Sequence, residues 1–153
     1  MIKVLFVCHG NICRSPMAEF LFKKYVKEKK KEEYFIIDSK ATSKEEIGNG
    51  VHYGTKKILN RLHIDCSLKQ AEQLKKQDYD FYDYILGMDA YNLRNINKIF
   101  EGRMEKVHLL LDFTPYPRDI SDPWYTGDFE QTYKDIMEGI EGFYRELSMK
   151  KLV

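Results

Sequence analysis

This chain lacks an apolar run long enough to cross a bilayer. The run at its amino end, Ile2 to Val7, falls far short of the roughly 20 residues that a spanning helix needs. It also lacks the layout of a signal peptide, because that run leads into Cys8-His9-Gly10 rather than into a small-residue cleavage site. An excess of charge is missing as well: 25 Lys and Arg face 24 Asp and Glu, a formal net charge of +1. So even a balance gives no broad field for nucleic acid or for a membrane surface, and any taste for anions must come from a local site. Cysteine is scarce, three in all, and an odd number argues against a secreted disulfide framework. These absences predict a cytoplasmic protein with reduced thiols, no nucleic-acid partner and no membrane insertion.

Internal repeats and low-complexity linkers are absent too. A chain of 153 residues, 43% hydrophobic and 14% aromatic, is expected to build one domain over residues 1–153 around its own core. The charge run Lys27 to Glu33 reads as a solvated helix end.

What is present alternates. Ile2 to Val7 reads as a strand buried on both faces, and from Ser15 the period changes to helical, with Met17, Phe20, Leu21 and Tyr25 in register and Pro16 in the first turn. Strands are expected again at Tyr34 to Ser39, Tyr82 to Met88 and Val107 to Leu111. Helices are expected at Val51 to Leu62, Asp89 to Phe100 and Asp128 to Leu147, with a short one at Lys69 to Gln77. This order predicts an α/β fold in three layers, a four-stranded parallel sheet doubly wound with helices on both faces. Ligands bind such sheets beyond the carboxyl ends of the strands, where the winding reverses. The first strand ends at Val7-Cys8. Asp112 to Gly127 breaks the pattern: it has no periodicity and holds Pro115, Pro117 and Pro123, and its Tyr116, Trp124 and Tyr125 argue for a structured loop over the site.

The octet Cys8-His9-Gly10-Asn11-Ile12-Cys13-Arg14-Ser15 joins strand to helix. Gly10 and Asn11 tolerate positive φ, so the backbone can curl with its N–H groups inward. The helix start adds unpaired amides and a favourable dipole, which makes a cradle for phosphate or another oxyanion, with Cys8 at its floor. The same donors stabilise a thiolate, and Arg14 brings a planar fork suited to two phosphate oxygens. Ser15 has two roles open to it, capping the helix or donating to the sulfur. A zinc reading of Cys8, His9 and Cys13 is poor, because no second Cys/His pair completes four ligands, so no metal and no cofactor is expected. His9 fits the rim. Asp122, just before Pro123, suits a general acid that protonates a leaving oxygen, and equally a turn or capping aspartate. Trp124 and Tyr125 fit the walls of a slot for an aryl ring, although Trp124 fits core packing as well.

The octet with Pro16-Met17-Ala18-Glu19 resembles the phosphate loop of the low-molecular-weight protein tyrosine phosphatases. The resemblance extends through Asp38-Ser39, Ala41-Thr42-Ser43, the stretch Tyr82 to Asp89, Asn92-Leu93-Arg94 and Asp122-Pro123-Trp124-Tyr125. It implies a flavodoxin-like sheet of the phosphotyrosine phosphatase I type and hydrolysis of phosphotyrosine through a phosphocysteine. By that resemblance Cys8 is the nucleophile, Arg14 binds phosphate and Asp122 is the acid. Around the phosphate and the substrate stand His9, Gly10, Asn11, Ile12, Cys13, Ser15, Trp124 and Tyr125. Asn11, Ser15 and Ser39 match positions that hold the loop. Cys13 matches a second loop cysteine that can close a protective disulfide with the nucleophile. The chain departs from the family pattern at Lys69, where His is frequent, at Glu45, where an aromatic is common, and at Thr126, where Gly is frequent.

Three rivals share parts of this description. Arsenate reductases need further thiols, and Cys66 lies outside their spacing. Arginine phosphatases usually carry Thr where Ile12 stands, and Ile12 offers an apolar wall without a hydroxyl. A binding module for phosphopeptides would need the cradle but neither a nucleophile nor an acid.

Overall fold

The computed structural model describes residues 1–153. Four strands, β1 (Ile2–Cys8), β2 (Phe35–Ala41), β3 (Tyr84–Gly87) and β4 (Val107–Leu109), form one sheet in the order β2-β1-β3-β4. All neighbours run parallel, as the alternation of strands and helices predicts. The chain winds outward from β1 to β2 and then returns to β3 on the other side. The winding therefore reverses at β1, and the crevice opens beyond Cys8.

The apolar run of β1 serves two faces at once. Val4, Phe6 and Cys8 point into one core, and Leu5 and Val7 into the other. Helix α1 (Arg14–Glu28) and helix α6 (Phe129–Met149) cover the first face. There Phe22 meets Phe6, Phe35 and Phe143 with centroids 5.3–5.9 Å apart. Each such ring contributes roughly 1.5–3 kcal/mol by leaving water. The short α3 (Asp78–Phe81) and α4 (Ala90–Ile99) flank the second face, where Tyr79, Ile96 and Phe100 pack against Leu5, Val7 and Ile85. α2 (Tyr53–Arg61) lies beside α1 and α6. Of the apolar stripe expected along α6, Ile136, Ile140, Phe143 and Leu147 are fully inside, while Phe129, Tyr133, Met137 and Tyr144 are only partly buried. A Cβ at Gly142 would stand 2.2 Å from the carbonyl oxygen of Phe113, so the bare glycine lets the turn Leu110–Phe113 lie against the helix.

Several expected boundaries differ. Lys69 to Gln77 is not helical. Its backbone pairs sideways instead: Ala41 N–H donates to Glu72, Leu74 N–H to Ala41, and Gly48 N–H to Ala71. This extended segment prolongs the edge of β2, with Ala71 and Leu74 buried. The helical turn falls just after it, at α3. β3 and β4 are shorter than predicted, because Met88 turns out of the sheet and the chain after Leu109 tightens into the turn Leu110–Phe113. α2 starts later than Val51, because His52 keeps an extended backbone and its Nδ1 accepts from the Gly54 amide. Asp112 to Gly127 is structured, but not through Tyr116, which is exposed. Its anchors are Ile120, buried and bonded through its amide to the Met88 carbonyl, and Arg118, paired with Asp135 and Glu138 of α6. No helix is long and apolar enough to cross a membrane.

Candidate active site

The loop after β1 is held by four of its carbonyls, which bond to the surrounding protein. Cys8 and His9 accept from the amides of Thr42 and Ser43 at 2.9 and 3.0 Å. Ile12 accepts from the amide of His52 at 2.8 Å, and Cys13 from the Thr55 hydroxyl at 2.9 Å. The amides of Gly10, Asn11, Ile12 and Cys13 donate to no other protein group, which leaves them free for an anion in the cavity that Gly10, Ile12 and Cys13 line. The left-handed residue that makes the curl is Asn11, at φ 57°; Gly10, also expected there, has no positive φ. The curl is stabilised from behind, where the Asn11 side chain can bond in three directions.

Cys8 is almost fully buried at the base of this loop. Its sulfur lies 3.0 Å from Ser15 Oγ and 3.4 Å from the Ser15 amide. Asn11 Nδ2 donates to Ser15 Oγ at 2.8 Å and to Ser39 Oγ at 2.9 Å, while Asn11 Oδ1 accepts from the Glu72 amide. That last bond fixes which end of the amide faces the serines. Ser15 accepts from Asn11, so its own proton is aimed at the sulfur. Ser39 likewise passes its proton on, to Glu19 at 2.6 Å. Glu19 is buried, and Lys69 sits against it at 3.1 Å while also donating to the Ser39 carbonyl. The lysine at this position therefore closes the network beneath the loop. Of the two roles open to Ser15, the cap is not used: α1 begins after Cys13 with no side-chain cap. The side chains of Asn11 and Ser15 stand behind the loop, where they hold it and the sulfur.

Arg14 is 2% exposed. Its Nη1 donates to Asp89 at 2.7 Å and to the Ile120 carbonyl at 2.8 Å, and its Nη2 lies 3.3 Å from Asp122. Burial opposes its charge, but the Cys8 sulfur, Asp122 and Asp89 more than offset this and hold its pKa above the usual value. Cys13 behaves oppositely. Burial, then the charges on Cys8 and Asp122, push its thiol up to about 12.

One cavity gathers these groups: Cys8, Arg14 and Asp122 inside, with Gly10, Ile12 and Cys13 along the loop. His9, Glu45, Glu46, Trp124 and Tyr125 form its mouth. His9 pairs with Glu45 at 3.0 Å in the open, a contact worth little by itself. Trp124 is 57% and Tyr125 84% exposed, so Trp124 belongs to the rim and not to the core. Asp122 does act as the capping aspartate: its Oδ1 accepts from the Trp124 amide at the start of the one-turn helix α5 (Pro123–Thr126). The residue also lines the cavity, with its Oδ2 3.3 Å from Arg14 Nη2. Cys8, Cys13 and Cys66 are all free, and Cys66 is buried far along the chain among apolar neighbours.

Sequence reasoning missed Asp89, Glu19 and His52 as parts of the site. Asp89 follows the carboxyl end of β3, where the sheet rule places ligand-facing groups, so a signal was there. Glu19 stands four residues after Ser15 on α1, hence on the same helical face.

A model of the family described as low molecular weight phosphotyrosine protein phosphatase matches residues 3–152. The low molecular weight protein-tyrosine-phosphatase YfkJ of Bacillus subtilis is 39% identical over 155 residues, covering 99% of each chain. Its crystal structure superposes with a TM-score of 0.94 over 99% of this chain and 97% of that one. The human low molecular weight phosphotyrosine protein phosphatase is 40% identical over 146 residues, 92% of each chain. Sequence and fold thus agree along nearly the whole length, and the chain belongs to the low molecular weight phosphotyrosine protein phosphatase family.

Proposed function

We propose that the chain hydrolyses phosphotyrosine in proteins or peptides, and small aryl phosphates, through a phosphocysteine on Cys8. The observation that carries this reading is the Cys8 sulfur: it lies under two donors of Ser15 and in one cavity with Arg14 and Asp122. The thiolate attacks phosphorus, the S–P bond forms and the P–O bond to the tyrosyl oxygen breaks. Asp122, entering as the neutral acid, gives that oxygen its proton, and tyrosine leaves. Water then attacks phosphorus and yields its proton to the Asp122 carboxylate. The S–P bond breaks, and inorganic phosphate and the thiolate are released. Arg14 and the loop amides hold the equatorial oxygens throughout.

The depth of the cavity supports an aryl substrate. Cys8 is buried while Trp124 and Tyr125 stand at the mouth, so the phosphate must be carried on a long, flat side chain to reach the sulfur. Ile12 adds an apolar wall. The proposal takes residues 1–153 as one domain that works in the cytoplasm, where its three free cysteines stay reduced. It needs no cofactor from the residues in place.

Parallel turnover assays on phosphotyrosine, phosphoarginine and phosphoserine peptides test it. Phosphotyrosine is expected to be cleaved fastest, and Cys8→Ser to abolish phosphate release. Faster cleavage of phosphoarginine would move the substrate to the guanidinium class, and full turnover by Cys8→Ser would defeat the mechanism.

A further inference from the structure

His52 lies outside the cavity, yet it touches both the phosphate loop and α5, which line it. Its amide donates to the Ile12 carbonyl of the phosphate loop at 2.8 Å. Its Nδ1 accepts from the Gly54 amide at 3.0 Å and caps α2. Its ring is stacked between Tyr53 (4.9 Å, 28°) and Phe129 at the start of α6 (5.2 Å, 14°). The fifth contact is to Trp124, whose ring meets the imidazole edge-to-face at 5.6 Å and 74°.

Trp124 is the second residue of α5, and its amide is the one capped by Asp122. The start of this turn is anchored by the buried Pro123 and by Arg14 beside Asp122, but its outer side, where Trp124 and Tyr125 are both largely exposed, has little packing of its own. We propose that His52 is a positioning residue: its ring, wedged between Tyr53 and Phe129, holds Trp124 and so sets Asp122 at the height of the leaving oxygen. Three features of the chain allow the wedge. Phe129 can reach the imidazole only because Gly54 has no side chain, since a Cβ there would stand 2.5 Å from the Phe129 ring. The Gly54 cap fixes the ring's rotation, leaving Nε2 as the protonated nitrogen of the neutral form. The Thr55 hydroxyl, bonded to the Cys13 carbonyl, ties the same end of α2 to the phosphate loop a second time. The imidazole therefore refers the position of α5 to the loop that holds the sulfur. Proton transfer is steep in distance, so a shift well below 1 Å is enough to be felt.

The inference rests on Asp122 serving as the acid, and the test separates the two. His52→Asn keeps a capping oxygen for α2 but removes the ring; His52→Phe keeps the ring but removes the acceptor. Both are assayed with Asp122→Asn and with the double variant His52→Asn/Asp122→Asn. The readout is kcat/KM, which reports transfer to the sulfur, across aryl phosphates whose leaving phenols range from basic to acidic. Expected is a loss of about tenfold for His52→Asn on the most basic phenol, shrinking toward none on the most acidic. The double variant should be no slower than Asp122→Asn, because a displaced turn matters only through its carboxyl. His52→Phe should keep the native dependence on the leaving group even where its melting temperature falls. An equal loss on every phenol, a loss additive with Asp122→Asn, or an equal loss in His52→Phe would overturn the positioning role while leaving the acid in place. Should Asp122→Asn itself show no dependence on the leaving group, the acid assignment falls, and this inference falls with it.

Discussion

The hydroxyl of Ser15 stands 3.0 Å from the sulfur of Cys8, and the Asn11 amide behind it leaves that hydroxyl only one direction in which to donate. A hydrogen bond to a charged partner is worth about 1.5–3 kcal/mol, or roughly a tenfold to hundredfold change in rate. Ser15→Ala is therefore expected to slow turnover of an aryl phosphate within that range. Alkylation of Cys8 by iodoacetamide at neutral pH should slow with it. Asn11→Ala should act in the same direction, because it frees the Ser15 proton to turn away and also releases the left-handed curl at φ 57°. Steady-state kinetics and mass-spectrometric alkylation rates check both; an unchanged alkylation rate in Ser15→Ala would mean that the hydroxyl does not serve the sulfur.

How far this site could be read in advance depended on whether neighbours in space were neighbours in sequence. Cys8 to Ser15 is a contiguous loop, and the apolar run before it and the helical period after it place it at the end of β1. Asp89 and Glu19 became legible only with the sheet order, because β3 must lie beside β1 before Asp89 can reach Arg14. Lys69 to Gln77 misled for a related reason. Ala71 and Leu74 are spaced as on a helix, but pairing with Ala41 on β2 outweighs local preference. Trp124 was ambiguous because one aromatic beside a proline fits a rim and a core equally, and only the exposure of α5 decides it.

The lysine beneath the loop yields a second prediction. Lys69 and Lys23 both bind the buried Glu19, and Lys69 alone also holds the Ser39 carbonyl. Lys69→Met removes that tie, with Glu19 keeping Lys23 and the Ser39 hydroxyl. A loss of about 1–3 kcal/mol in stability is expected, the range for stripping a partner from a buried polar group. In the background of Glu19→Gln the same change should cost less, since the charge it serves is gone. Urea midpoints of the two single variants and the double variant measure the coupling. Additive losses would mean that Lys69 acts on the Ser39 carbonyl alone.

Alkaline pH provides a third. The Cys13 thiol has an ordinary value of 9.0 and stands at about 12 in the fold. Its folded value is raised, so the stability it contributes is fully present below pH 9 and is lost as pH rises toward about 12. Between those limits the unfolded chain has released the proton and the folded chain has not. Tyr82, raised by burial and by its hydrogen bond to Asp38, pushes the same way at higher pH. Unfolding free energy should therefore fall with pH above 9, by up to about 1.4 kcal/mol per pH unit for each such proton. Cys13→Ala should make that fall shallower. Urea titrations from pH 8 to 11 show it, and identical slopes for the two proteins would contradict the placement of the Cys13 thiol.

Asp89 carries two duties on its two oxygens, and they can be separated. Oδ1 accepts from the Asn92 amide at 2.8 Å and caps α4, while Oδ2 accepts from Arg14 at 2.7 Å. Asn is as good a cap as Asp, so Asp89→Asn should keep the cap and stay more stable than Asp89→Ala by about 1 kcal/mol. Both remove the negative charge that steadies the buried guanidinium. Without it Arg14 keeps the Ile120 carbonyl and Asp122 as partners, and Asp122 alone then supplies its counter-charge. The guanidinium is drawn toward the acid and away from the line of the loop amides. Weaker retention of inorganic phosphate is therefore expected in Asp89→Asn, by about tenfold, the size of one charge-assisted hydrogen bond. Inhibition constants for phosphate measure it, with melting temperatures run alongside. Native phosphate affinity in Asp89→Asn would show that Arg14 is held in place by Ile120 and needs no carboxylate behind it.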